Sequence, residues 1–330
     1  MLMALAVVIF GMGSGRESGI QPADKFLIPD LTPSRLLFFG DIMLGRNVEV
    51  MTEKNGQDWL FEKLDSLLLP ETFIVANLEG PIVTDHTPTP TGSFSFSFLD
   101  TSAELLARHN FDAVSLANNH TLNQGDDGFV ETQKHLANAG VEYVGHPIEM
   151  GEEYVLSTVV NEQPLTIAGF NMTFAYNDPN AAVATIASLT EKSEAPIIVV
   201  MHWGEEYQPH SNKTQQDLAH RLIDAGANLI IGAHPHVVQE VESYNGKLIF
   251  YSLGNFIFDQ YFSVETQQGL AVGIDLTADG LMTATLYPLE SVKSQPALMT
   301  EPDRSAFLSA IASRSSADLA EALRQGEISF

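Results

Sequence analysis

Residues 36–46 read LLFFGDIMLGR, an apolar run with an acidic side chain directly behind it. Four consecutive apolar residues ended by Gly40 are typical of a strand that is buried on both faces of its sheet. Asp41 then stands where that strand ends. Five further apolar runs end in polar residues of similar kinds, namely Asn77 and Glu79, Asn118 to His120, His202, His234 and His236, and Asn255. The sequence therefore predicts strands whose ends carry the chemistry.

Helices and hairpins are predicted between these strands. Leucines at helical spacing over residues 57–69 predict a helix that Pro70 ends. Hairpin patterns occupy residues 154–170 and flank the Asn-Gly turn at residues 245–246. This alternation predicts an α/β fold, a four-layer α-β-β-α sandwich in which two mixed sheets lie between helices.

The polar strand ends are expected to meet in one pocket, because ligands of α/β sheets bind beyond the carboxyl ends of the strands. None of the six runs ends in Lys or Arg. A pocket lined by carboxylates, amides and neutral imidazoles needs cations for charge balance, and these donors suit Mn, Fe, Zn or Mg. One or two divalent ions there would lower the pKa of bound water and neutralise charge on a transferred group.

Structural alternatives remain open for the individual ligand candidates. A lone histidine after a strand is more often a hydrogen-bonding residue than a ligand, and Asp41 behind a glycine also suits a turn. The pair His234 and His236 is the most specific signal, since the proline between them restricts the backbone. The sequence Asn118-Asn119-His120 fits a ligand site and a turn about equally well.

Three features near the motifs have two interpretations each. Arg46 either grips an anionic group or has a surface or helix-capping role. Trp203 either lines the pocket or packs in the core. Residues 84–99 end in alternating phenylalanines, which favours an edge strand with one buried face over a flap beside the pocket.

Composition excludes several classes of protein. The 330 residues carry 42 acidic and 16 basic side chains, a formal charge of −26, which argues against nucleic acid as a partner. The chain has no cysteine, so thiolate metal sites and cysteine nucleophiles are excluded.

Residues 2–12 form an apolar run too short to span a bilayer. The run predicts a signal or clipped membrane anchor within residues 1–20, and hence an extracytoplasmic location, with a docked or disordered tail as the alternative.

Six motifs, in order along the chain, are similar to those of the CapA family of capsule and poly-γ-glutamate biosynthesis proteins: GDIMLGR at 40–46, NLEG at 77–80, SLANNH at 115–120, MHWG at 201–204, GAHPH at 232–236 and SLGNF at 252–256. The resemblance implies a calcineurin-like metallophosphoesterase fold. It places the family domain at residues 34–290 and leaves residues 291–330 as a helical extension.

The resemblance also assigns roles to single residues. The metal ligands it implies are Asp41, Glu79 in place of a bridging Asp, Asn119, His202, His234 and His236. His120 matches the catalytic histidine. Met43 stands where the superfamily has a histidine ligand, so one metal has lost a donor, and Thr121 follows His120 where an acid would usually orient the imidazole.

Two functions are consistent with this set. The first is a metal-dependent hydrolase that acts on a phosphate ester or an anionic envelope polymer, with His120 as general acid. The second is a non-catalytic accessory protein of a membrane-bound polymer-synthase complex, which holds the polyanion through metal. In both cases the residues predicted to contact the substrate are Arg46, Asn77, Trp203 and Asn255.

Overall fold

The computed structural model describes residues 36–277 and 280–330, and within them the chain forms fifteen strands and seven α-helices. The strands are β1 (Leu36–Ile42), β2 (Phe73–Leu78), β3 (Phe111–Ser115), β4 (Glu142–Val144), β5 (Leu156–Val160), β6 (Gln163–Asn171), β7 (Ile197–His202), β8 (Leu229–Ala233), β9 (Val241–Tyr244), β10 (Lys247–Phe250), β11 (Asn255–Ile257), β12 (Gln268–Thr277), β13 (Gly280–Val292), β14 (Gln295–Leu298) and β15 (Glu327–Ser329). The helices are α1 (Arg46–Asn55), α2 (Ser102–Arg108), α3 (Gly125–Ala139), α4 (Pro179–Lys192), α5 (Lys213–Asp224), α6 (Asp303–Arg314) and α7 (Ala320–Gln325).

The strands form two mixed sheets. The first has the order β14-β13-β12-β1-β2-β3-β4, with β11 paired to β1 and β15 paired to β13. The second has the order β5-β6-β7-β8-β10-β9. In the first sheet β1, β2, β3 and β4 run parallel, and in the second β6, β7, β8 and β10 do. The carboxyl ends of parallel strands from both sheets are therefore available to build one site.

Side chains alternate between the two faces of each strand and so build separate core layers. Leu36 and Phe38 of β1 belong to a cluster that also contains Ile198 and Val200 of β7, so the two sheets pack face to face. The intervening residues of β7 join the second cluster, which packs against α4 and α5. On the outer side of the first sheet, Phe39 stacks on a phenylalanine of β11, and α2 and α3 contact β3 and β4. The predicted four-layer α-β-β-α sandwich is confirmed.

A close backbone approach at Gly40 joins the second half of the chain to the first sheet. The Asp41 amide donates to the carbonyl of Gly254 at 3.1 Å, and β11 pairs with β1 from there. A Cβ atom on Gly40 would lie 1.8 Å from that carbonyl oxygen, so only glycine fits. This contact places Asn255 beside Asp41.

Two predictions of local structure fail. Residues 57–69 form a short 3-10 helix, Gln57–Leu60, followed by a series of i→i+3 turns instead of an α-helix. The leucines are buried as the pattern required, because such turns also keep residues three apart on one side. Residues 84–99 contain one isolated bridge, at Phe98, and otherwise form an irregular loop in place of the expected edge strand.

The expectation of a membrane-anchored protein is wrong for the described residues. Across 36–277 and 280–330, no helix is both long and apolar enough to cross a bilayer. The anchor itself was expected within residues 1–20, which lie outside the described part of the chain. The division of the chain at residue 290 stays a prediction; β14 and β15 beyond it are strands of the first sheet.

Candidate metal centre

The polar ends of β1, β2, β3 and β8 come together at one point. Asp41 and Glu79 have no exposed surface. His236 lies between them, with Nδ1 3.3 Å from Asp41 Oδ2 and Nε2 3.8 Å from Glu79 Oε1. His120 approaches the same oxygen of Glu79 with Nε2 at 3.6 Å. Residues separated by almost 200 positions thus share one buried space.

The turn after β8 directs its two imidazoles into this space. His234 and His236 both adopt positive φ angles, 95° and 58°, on either side of Pro235. Such angles are uncommon for residues with a side chain and are often found at functional sites. The backbone N–H of His234 donates to Asp41 Oδ2 at 3.2 Å, which fixes the turn against β1.

Asn255 determines which nitrogen of His236 carries the proton. The amide nitrogen of Asn255 donates to the backbone carbonyl of Thr266 at 2.9 Å, so its other side-chain atom is the oxygen. That oxygen lies 3.0 Å from His236 Nδ1, which must therefore be the donor. The lone pair of neutral His236 is at Nε2, on the side of Glu79. Asn255 thus orients a candidate ligand, as outer-shell partners of metal-bound histidines do.

Asn123 determines which nitrogen of His120 carries the proton. Its side-chain oxygen accepts from the backbone N–H of Phe96 at 2.7 Å and from His120 Nδ1 at 3.0 Å. Neutral His120 therefore also keeps its lone pair at Nε2, facing Glu79. Burial lowers the pKa of His120, which favours this neutral form. Asn123 takes the orienting role that the sequence comparison expected from an acid next to His120, and no motif pointed to it.

His202 has the opposite tautomer. Asn118 donates to Leu78 O at 2.8 Å and to Asn77 Oδ1 at 3.1 Å, so the nitrogen of Asn77 is the atom that faces Asp41 Oδ1 at 2.7 Å and His202 Nδ1 at 3.2 Å. His202 Nδ1 must then accept. Its Nε2–H donates to Asn119 Oδ1 at 2.7 Å. The structure therefore brings His202 and Asn119 together as a hydrogen-bonded pair beside Asp41, and their role as metal ligands stays a prediction.

The remaining donors fit a divalent cation. Among the described residues, both carboxylate oxygens of Glu79 and Nδ1 of His234 are buried without a hydrogen-bond partner. Burial and the neighbouring Asp41 raise the pKa of Glu79 well above its ordinary value, and burial lowers the pKa of His234 to about 4. Two carboxylates and two imidazole lone pairs facing each other are costly unless a proton or a cation lies among them. A metal would satisfy all of them at once.

One further carboxylate was missed by the sequence analysis. Glu206, in the exposed connection between β7 and α5, has a carboxylate oxygen within 4.8 Å of ring nitrogens of His234 and His236. A second group with the same spacing consists of Asp41, Glu79 and His236. Glu206 follows its strand by four residues, so the rule of reading the first polar residue after a strand did not find it.

Arg46 lies beside the centre but its charge is already paired. The guanidinium forms a buried ion pair with Asp259, and Nη1 donates to Ser93 O at 3.3 Å. It also lies 5.0 Å from the ring of Phe96 and 5.4 Å from that of Phe258. Phe96 belongs to the 84–99 loop and packs on His120 at 4.3 Å, so this loop borders the site as the flap interpretation proposed.

Trp203 packs in the core. It is 1% exposed, belongs to the cluster beneath α4 and α5, and donates its indole N–H to Tyr251 O at 2.9 Å. The packing alternative therefore accounts for Trp203, and its proposed contact with substrate has no support in this arrangement.

Comparison with known proteins gives the family. Residues 35–260 match the family described as bacterial capsule synthesis protein PGA_cap. The chain belongs to this family. It is 31% identical over 277 residues to the PGA biosynthesis protein CapA of Bacillus subtilis, covering 79% of this chain and 72% of the relative. The capsule biosynthesis protein CapA of Bacillus anthracis is 29% identical over 79% of this chain and 68% of its own length.

Two more distant similarities add to this. A probable polyglutamine synthesis accessory protein of Mycobacterium tuberculosis is 24% identical, covering 68% of this chain and 74% of the relative. A solved structure of a hypothetical protein from Thermus thermophilus superposes with a TM-score of 0.52 at 17% identity, covering 78% of this chain and 99% of the other. This structural likeness supports the fold alone. The resemblance to the CapA family that the motifs predicted is confirmed.

Proposed function

We propose that this protein acts in the biosynthesis of a capsule-type polymer of glutamate and hydrolyses a bond in that polymer or in a phosphate ester. The single observation that carries the proposal is the environment of Glu79, whose two carboxylate oxygens are buried without a partner among the described residues. Keeping such a group costs stability, so a ligand that uses it is the simplest reason for its presence. The choice of polymer comes from relatives in the same family, which are named as proteins of PGA and capsule biosynthesis.

Four residues would hold the cation, namely Asp41, Glu79, His234 and His236. A bound divalent ion would activate a water molecule and neutralise negative charge on the substrate. The chain itself contributes the low-dielectric surroundings, since all four side chains are buried.

In this proposal His120 moves the proton. In its neutral form the proton sits on Nδ1, held by Asn123, and the lone pair at Nε2 faces Glu79. His120 therefore first accepts, at Nε2, a proton from the attacking water molecule. The resulting imidazolium can then donate the same proton to the leaving group, which is the general-acid role predicted from the sequence. Phe96 packs against the ring and keeps water away from one face.

The test compares Glu79→Gln with wild type, using poly-γ-glutamate and a generic phosphodiester in the presence of Mn²⁺ or Zn²⁺. We expect turnover to fall by about 10–100-fold or more, because the amide removes the charge that holds the ion. The metal-free variant should be at least as stable as wild type, with the difference growing as the pH rises, because wild type must then bury an ionised Glu79. Added metal should raise the melting temperature of wild type alone.

The exposed Glu53→Gln serves as the matched control and should behave as wild type in every assay. Wild-type protein that binds metal but turns over neither substrate would reject the hydrolase.

An accessory role in a polymer-synthase complex is the second candidate. The similarity to a probable accessory protein of polyglutamine synthesis in Mycobacterium tuberculosis favours it. The hydrogen bond between His202 and Asn119 favours it too, because it occupies two of the predicted ligands. In a strain that lacks the gene, polymer production restored by a His234→Ala protein would support this role over catalysis.

A further inference from the structure

Glu206 lies on the connection between β7 and α5, which is held against the turn that carries the two histidines. The backbone N–H of Tyr207 donates to Pro235 O at 2.8 Å. Gln260 donates to the hydroxyl of Tyr207 at 3.1 Å. Tyr207 adopts a φ of 62°, an angle that a residue with a side chain keeps only when its surroundings require it. The position of Glu206 is thus set by contacts on its immediate neighbour.

The two groups of potential ligands share one residue, His236. Glu206, His234 and His236 form one group, and Asp41, Glu79 and His236 form the other. Because His236 Nδ1 donates to Asn255, only Nε2 of that ring has a free lone pair. A lone pair binds one ion. If both groups use His236, they therefore share one cation at Nε2, where Glu79 Oε1 lies 3.8 Å away.

Met43 supplies no oxygen or nitrogen donor to this position. Its side chain is fully buried, and its sulfur accepts the backbone N–H of Gly45 at 3.1 Å. Nδ1 of His234 is buried and has no hydrogen-bond partner among the described residues. His234 belongs to the ligand group that contains Glu206, so this group too has a buried polar atom that a cation would satisfy.

We propose that Glu206 is a ligand of this cation and supplies, from the β7–α5 connection, the donor that Met43 does not supply from the end of β1. The inference rests on the cation of the proposed function and names its ligand set: Asp41, Glu79, Glu206, His234 and His236. Three carboxylates and two imidazoles suit a hard or borderline divalent ion such as Mn²⁺, Fe²⁺ or Zn²⁺. Glu206 is the one member that is exposed, so the ion reaches the buried ligands from its side.

The experiment titrates metal-free protein with Mn²⁺ and Zn²⁺ by calorimetry, without any substrate. Loss of a residue that only supports a ligand usually weakens metal binding 10–100-fold. Loss of a direct ligand should cost at least as much, so Glu206→Gln should raise the Kd of the metal at least about tenfold. Glu205→Gln changes the adjacent exposed carboxylate on the same connection and should leave the Kd unchanged. Co²⁺ serves as a spectroscopic probe, and its absorption spectrum should change in the first variant alone.

The outcomes separate this inference from the proposed function. Equal affinities and Co²⁺ spectra for wild type and Glu206→Gln would overturn the role of Glu206 and leave the cation in place. A wild-type protein that binds none of the three metals would overturn both. Thermal unfolding of the metal-free variants checks that Glu206→Gln is folded, which is expected for a substitution at an exposed side chain.

Discussion

Asparagine side chains, rather than acids, set the proton positions around Glu79. Asn123 and Asn255 hold the Nδ1 protons of His120 and His236, and Asn77, which Asn118 orients, holds the lone pair of His202. Each amide is itself oriented by a backbone group or by another amide, so rotating one would break several bonds. Both amide hydrogens of Asn77 and of Asn255 are used within the protein. Their predicted contact with substrate therefore has no free donor in this arrangement.

These hydrogen bonds predict the tautomers of three histidines in the metal-free protein. Long-range ¹H–¹⁵N NMR spectra above pH 7 should show His120 and His236 protonated at Nδ1 and His202 protonated at Nε2. The neutral form dominates there because burial lowers the pKa of His120 and of His202. Asn255→Leu should release His236 to a mixture of tautomers and leave His120 unchanged. An Nε2 proton on His236 in wild type would contradict the ligand assignment.

At the scale of elements, α1 is joined to the segment behind β11 by the ion pair between Arg46 and Asp259. The two side chains are 8% and 3% exposed, and Asp259 also accepts from the backbone and side chain of Asn47. A pair this deeply buried holds its elements in place mainly because neither charge can be left alone. This favours a structural role for Arg46 over the anion-gripping role that the motif suggested.

Asp259→Asn should therefore destabilise the protein by about 3–5 kcal/mol, since it leaves the buried guanidinium without a counter-charge. Asp58→Asn is the control, because Asp58 and its partner Arg108 are 61% and 48% exposed. It should cost about 1 kcal/mol or less. Urea unfolding measures both. An Asp259→Asn protein as stable as wild type, with a changed KM for polymer, would instead show that Arg46 serves the substrate.

The sequence predicted the elements whose signals are local and strong. Strands with continuous apolar runs and the hairpins were placed correctly, because burial of both faces demands that pattern. α1 was missed because it buries few apolar residues. α4 was missed although Asp178 caps it and Pro179 opens it, because it buries only Ala182 and Ile186 and so shows little apolar periodicity.

At the site, the polar residues at strand ends predicted which side chains lie close together but not which hydrogen bonds they form. Asp41 lies at the end of β1, and Glu79 and the two histidines after β8 follow their strands within three residues, so topology alone brings them together. Glu206 and Asn123 lie in connections, where position depends on contacts such as that of Tyr207 with Pro235. Proton positions depend on amide orientations that no spacing encodes. The sequence therefore predicts the chemistry of the centre better than its ligand set.

At the scale of the whole molecule, the proposed substrate and the protein have the same sign of charge. The chain carries a formal charge of −26, and a polymer of glutamate is itself a polyanion. Arg46 cannot offset this, since its charge is paired with Asp259. Local attraction must come from the cation, whereas long-range electrostatics oppose the encounter.

Salt should therefore strengthen the reaction with polymer, contrary to the usual effect of salt on proteins that bind polyanions. Raising NaCl from about 10 mM to about 150 mM shortens the Debye length from about 30 Å to about 8 Å. This screens the repulsion between the acidic surface and the chain, while the short-range bond to the buried cation persists. We expect the KM for poly-γ-glutamate to fall by about two- to tenfold over that range, with kcat unchanged. A neutral ester of the same polymer, which the surface does not repel, should show no such change. A KM that rises with salt would mean that a positive region attracts the polymer before it reaches the metal centre.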